Sequence, residues 1–108
     1  MNKNRLKILV CGEASFLDSG FSTYQYQLLQ RLRNNPNMHV AELACYACIN
    51  DSRDYKCDWR FYPNAVTSQD PRVNSFNSHG QNAFGKWRFD HCVLHFQPDV
   101  VIDIRDYW

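Results

Sequence analysis

Short apolar runs alternate with longer amphipathic stretches along this chain. Arg5–Leu6–Lys7–Ile8–Leu9–Val10–Cys11 is mostly apolar, partly β-branched, and stops at Gly12, the pattern of a strand covered on both faces. Gly12 to Gly20 carries the turn formers Ser15, Asp18, Ser19 and Gly20 and reads as a loop. From about Gly20 to Arg33 the spacing predicts a helix, with Ser19 or Asp18 as its cap. Phe21, Tyr24, Leu28 and Leu32 fall on one helical face, and Leu29 widens it. Arg31 and Arg33 suit the negative end of the helix dipole, and Asn34–Asn35–Pro36–Asn37 breaks the helix.

His39 to Ala47 reads as a second strand and Asn50 to Asp58 as a polar loop. Trp59–Arg60–Phe61–Tyr62 is a short third strand closed by Pro63–Asn64. Ala65 to Gly80 is rich in Asn, Ser and Asp, a loop long enough to mark a functional or mobile segment. The next helix is expected from Gln81 to Phe96, with Phe89, Cys92, Val93 and Phe96 as its core stripe. Phe84, Trp87, His91 and Leu94 form a second stripe that also wants cover. Gln97–Pro98 ends that helix, and Asp99 to Asp103 is a final buried strand.

The order β-α-β-β-α-β predicts an α/β fold, Rossmann-like, with a mostly parallel sheet and right-handed crossovers. Ligands of such sheets bind beyond the carboxyl ends of the strands. Two segments fall there, Gly12 to Ser22 and Ile104 to Trp108, and their strand tips are expected side by side on one rim.

Composition narrows the picture. With 108 residues there is room for one domain, and 44% hydrophobic and 15% aromatic residues can build a core. A net charge of +1 leaves no basic excess for nucleic-acid phosphates. The longest apolar runs, Leu6 to Cys11 and Val40 to Ile49, are too short to span a bilayer and contain Lys7 and Glu42. Met1 to Arg5 leads straight into a strand, without a signal-peptide pattern. Together with five cysteines, an odd number, this leads us to expect reduced thiols and a cytoplasmic protein.

Four stretches carry a resemblance. They are Lys7–Ile8–Leu9–Val10 with its glycine-bearing loop and Ser19–Gly20–Phe21–Ser22–Thr23–Tyr24, then His39–Val40–Ala41–Glu42–Leu43–Ala44, Trp59–Arg60–Phe61–Tyr62–Pro63–Asn64, and Phe96–Gln97–Pro98–Asp99–Val100–Val101. In this order they resemble the amino-terminal domain of a family-four-type retaining glycosyltransferase of the GT-B architecture, with two Rossmann-like domains facing across a cleft. The resemblance covers most of the chain. It implies an acceptor-side domain that takes part in sugar transfer from a nucleotide-sugar. Such enzymes hold the donor in a second domain, with a paired-glutamate motif and a basic phosphate clamp that this chain lacks. The expectation is therefore an incomplete domain, inactive alone, with no tightly bound cofactor. A sugar acceptor or nucleotide-sugar would bind only in the full-length enzyme.

Several residues are candidates for the cleft wall: Gly12, Glu13, Ser15, Gly20, Phe21, Ser22, Arg105 and Asp106. The glycines would allow close backbone approach to a ligand, or simply serve a strand-to-helix turn. The G-x-G-x-x-G fingerprint is absent, which argues against a tight dinucleotide site. Glu13, Ser15, Ser22 and Thr23 suit sugar hydroxyls, or capping and solvation. Asp106 suits a hydroxyl or a base role, or a surface pair with Arg105. Tyr107 and Trp108 suit stacking on a sugar ring, or a core. No catalytic residue is assigned.

Cys45-x-x-Cys48 with Cys57, Cys92 or His79 does not compose a zinc pattern, and no metal site is expected. His91 and His95 share a helix face and read as stacked histidines. The alternative function is a small non-enzymatic flavodoxin- or receiver-like module for signalling or assembly. A receiver wants an acidic pair after its first strand, where only Glu13 stands. Exposed apolar surface on the Phe84, Trp87, Leu94 stripe or the last strand leads us to expect a homo-oligomer.

Overall fold

The computed structural model describes residues 5–17, 19–48 and 58–104. Four strands, β1 (Leu6–Glu13), β2 (Met38–Cys48), β3 (Arg60–Ala65) and β4 (Val100–Ile104), form one sheet in the order β3-β2-β1-β4. Every pairing is parallel. The fold is thus α/β and Rossmann-like, as the alternation of elements predicts. This is the order of the first four strands in a doubly wound dinucleotide-type sheet. The flavodoxin-like order instead sets the third strand beside the first.

Helix α1 (Gly20–Arg33) joins β1 to β2. From β3 the chain passes through α2 (Val73–Asn77), a 3-10 turn at Gly80–Phe84 and α3 (Lys86–Phe96) before entering β4. The β1-to-β2 and β3-to-β4 steps run in opposite directions across the sheet. Crossovers of one hand then put α1 and α3 on opposite faces. The core divides accordingly. Ile8, Val10, Val40 and Trp59 pack with Leu29 of α1 on one face. Leu9, Cys11, Ala41, Leu43 and Tyr62 pack with Cys92 and Phe96 of α3 on the other. Leu29 is fully buried, which stabilises by roughly 1.5–3 kcal/mol.

Several expectations need correction. β1 runs on through Gly12 and Glu13 instead of stopping at the glycine. β3 does not close at Pro63–Asn64 but passes through them to Ala65, with Pro63 opposite Ala44. An edge strand tolerates a proline whose missing N–H faces away from the sheet. The stretch from Ala65 to Gly80 is not all loop, since it holds α2. The helix expected from Gln81 is two pieces, parted at Gly85 with φ 110°, a conformation glycine adopts without cost. Asn64 takes over the capping there: its Oδ1 accepts from Arg88 N at 3.2 Å and its Nδ2 donates to Asn82 O at 2.7 Å.

α1 buries part of the face its apolar spacing predicts. Leu29 is buried and Leu28 and Leu32 pack half-buried against the core, but Phe21 and Tyr24 are exposed, and Ser22 and Gln25 are buried instead. Gln25 turns inward to Glu42, over the room left at Gly12, and Ser22 to the Ser19 cap. β4, expected buried, is an edge strand with Val100 41% and Val101 42% exposed.

Candidate functional site

A hollow of about 830 Å³ opens at the carboxyl ends of the strands. It lies where the crossovers on the two sides of β1 depart in opposite directions, the switch point at which α/β sheets bind ligands. Gly12 and Ile104 are direct register partners there, so the two strand tips do share one rim. The lining comes from three strands (Gly12, Glu13, Cys45, Tyr46, Asp103, Ile104), from the 3-10 turn and Gly85 (Gln81, Phe84, Gly85), and from the start of α3 (Lys86, Phe89, Asp90).

Tyr46 is the unusual member. Its φ is 67°, a left-handed conformation that costs a bulky residue roughly 1–2 kcal/mol. It sits where the β2–β3 register shifts between Ala44 and Cys48, and such bulges re-aim side chains. Its ring meets Phe84 edge to face, with centroids 6.0 Å apart. Burial, with the Glu13 carboxylate nearby, holds its phenol above the usual range, so at neutral pH it stays a hydroxyl donor. Three carboxylates (Glu13, Asp90, Asp103) and one ammonium (Lys86) are the charged groups of the described lining, and Gln81 adds an amide.

Close by, Ser19 caps α1. Its Oγ accepts from Ser22 N at 3.0 Å and donates to Glu13 Oε1 at 2.7 Å. A carboxylate therefore already occupies the neighbourhood of the helix N-terminus, where a phosphate would otherwise be favoured.

Behind the loop lies a second polar cluster. Glu42, fully buried in β2, accepts from Ser15 N and Oγ, each at 2.8 Å, from Gln25 Nε2 at 2.8 Å, and from Trp59 Nε1 at 3.0 Å. Burial pushes its carboxyl above the ordinary range, and the four donors pull it partly back. These bonds tie the β1–α1 loop, α1 and the start of β3 to the sheet. Gly12 makes the arrangement possible: a Cβ there would strike the Gln25 amide and stand 2.8 Å from Ile104 O.

Of the residues singled out in the sequence, Gly12 and Glu13 line the hollow. Ser15 and Ser22 face inward, to Glu42 and to the Ser19 cap. Gly20 and Phe21 lie on the exposed first turn of α1. Arg105 and Asp106, with Tyr107 and Trp108, lie outside the described residues, as do Asp18 and Cys57. Sequence reasoning missed Tyr46, Lys86 and Asp90 as lining residues. Nothing in the β2 pattern announces a bulge at Tyr46. Asp103, at the carboxyl end of an apolar strand, could have been found from the strand-end rule alone.

His91 and His95 stack with centroids 5.9 Å apart, and His95 Nδ1 lies 2.6 Å from the Tyr62 hydroxyl. Cys92 is a buried thiol pushed up to about 12 by burial, which leaves it inert as a nucleophile. No group of three or more metal-ligating side chains occurs among the described residues, and none of their helices is long and apolar enough to cross a membrane. In comparisons with known proteins, no family model, no curated protein and no solved structure matches this chain.

Proposed function

We propose that the rim hollow binds a saccharide, and that the chain is the acceptor-side domain of a glycosyltransferase of the kind it resembles. The observation that carries this is the pairing of Tyr46 and Phe84 with three carboxylates at the switch point of the sheet. Carboxylates accept hydrogen bonds from sugar hydroxyls, and aromatic rings offer flat apolar faces to the C–H side of a sugar. A hollow of about 830 Å³ is within the usual range for small ligands. An acidic lining, with Glu13 beside the N-terminus of α1, disfavours a nucleotide phosphate. The nucleotide-sugar donor is accordingly assigned to a second domain, and no turnover of sugar nucleotides is expected from this chain by itself. The flavodoxin-like alternative has no support in the strand order.

We further propose a cytoplasmic protein, as its cysteine usage suggests, and a homo-oligomer formed through the β4 edge and the exposed Leu94.

Calorimetry of the chain with a panel of mono- and disaccharides tests the central proposal. Binding with Kd of roughly 1 mM or tighter is expected for at least one member, weakened about tenfold or more in Glu13→Gln and in Phe84→Ala. A panel without heat of binding, or variants that bind like the parent, would remove the saccharide site.

A further inference from the structure

On the opposite, amino-terminal rim of the sheet lies a second hollow of about 400 Å³. Its described polar lining is Arg5, Arg33, His39, Asp58 and Arg60, over an apolar floor that includes Trp59. Three arginines thus face one carboxylate, and that carboxylate is already engaged, since Arg33 Nε lies 2.8 Å from Asp58 Oδ2. Arg5 is fixed by a bond from its Nη2 to Met38 O at 2.9 Å, while its buried Nε–H has no partner among the described residues. A buried guanidinium N–H left unmet is costly. Arginine forks match the oxygens of tetrahedral and planar anions.

His39 reports the same excess of positive charge. It sits directly opposite Lys7 on β1. Burial and the charges of Arg5, Lys7 and Arg60 all push its imidazole below the usual range. From α3 it meets the uncharged ring of Phe96, with centroids 5.1 Å apart. Asp99, at the amino end of β4, accepts from Lys7 N at 2.9 Å and is not part of the lining, so within the described lining Asp58 alone offsets the cations. A ligand carrying two negative charges would do so, and a neutral sugar would not.

We propose that this hollow binds the phosphate group of a small molecule, held by Arg5 and Arg60 with His39 at its edge. It lies at the end of the strands remote from the saccharide hollow, so the two sites can fill independently.

The test is an NMR titration of the four histidines of the intact chain. Inorganic phosphate, pyrophosphate and a sugar phosphate are each compared with chloride at equal ionic strength. Phosphate should raise the His39 pKa by on the order of half a unit or more and leave His79, His91 and His95 unmoved. Arg60→Gln, an exposed side chain at the start of an edge strand, should weaken binding about tenfold, the loss of one charge-assisted bond. Equal binding of inorganic and sugar phosphate points to free phosphate as the ligand, and tighter binding of the latter to a phosphorylated metabolite. Parallel shifts of all four histidines, binding in Arg60→Gln that equals the parent, or binding of the sugar phosphate without either inorganic anion would each overturn the site.

Discussion

Glu42 shows how much of this molecule turns on single polar side chains. It lies in the middle of a central strand with no exposed surface, among apolar neighbours that no charged group enters without compensation. Four donors supply that compensation. The carboxyl is nonetheless held above its ordinary value of 4.5. The sign follows from linkage. A group whose folded pKa is raised contributes its full stability below the unfolded value, and that contribution is lost as pH rises through the folded value. Each unit of upward shift is worth about 1.4 kcal/mol. Glu42→Gln removes the titration and keeps the shape. An amide nitrogen in place of Oε2 can donate to Gln25 Oε1, which has no partner among the described residues, once that amide turns over. It no longer accepts from Ser15 N, a loss that lowers stability at every pH and leaves the slope to report the titration. Urea unfolding from acid to neutral pH should therefore show the parent losing stability relative to Glu42→Gln as pH climbs above 4.5. Parallel profiles would show that Glu42 does not titrate in this window.

At the scale of elements, Gln25 of α1 and the tip of β4 come close to β1 at Gly12, and the missing side chain there permits it. Gly12→Ala places a methyl against the Gln25 amide and 2.8 Å from the Ile104 carbonyl. We expect a loss of about 1–3 kcal/mol in chemical denaturation; an unchanged midpoint would mean that α1 does not sit so close. The same region marks how far the sequence could be read. The extent of α1 from Gly20 to Arg33, its Ser19 cap and the Phe89, Cys92, Val93, Phe96 stripe follow from spacing and capping chemistry, and all three are present. The buried face of α1 was legible in part. Leu28, Leu29 and Leu32 pack inward as their spacing predicts, but in its first turns a buried carboxylate takes up Gln25 and the Ser19 cap takes up Ser22, where Phe21 and Tyr24 were expected. The break at Gly85 and the passage of β3 through Pro63 were hidden because each depends on a tertiary position, a left-handed turn and a sheet edge.

For the whole molecule, alternation of strands and helices predicted a mostly parallel α/β sheet with a shared rim near Gly12 and Ile104, and both are present. The strand order, and with it the split of α1 and α3 between two faces, came only from the structure. Alternation did not reveal that β4 would be an uncovered edge, because burial of a strand depends on which elements lie beyond it. Leu94 of α3 is 77% exposed, while Phe84 and Trp87 of the same stripe are taken up by Tyr46 and Phe76. The oligomer contact is therefore expected at β4 and Leu94. Sedimentation at micromolar concentration should show self-association that Val101→Lys abolishes; a monomer in the parent would contradict it.

The claim on which the functional account rests is that the carboxyl rim, and no other surface, receives the sugar. A nitrogen-15 chemical-shift map of the chain under saccharide titration measures this directly. Saturable shifts clustered at Gly12, Glu13, Tyr46, Phe84, Asp103 and Ile104, with the amino-terminal rim silent, are the predicted result. Saturable shifts centred elsewhere, or none at tens of millimolar sugar (roughly −2 kcal/mol of affinity), would contradict it.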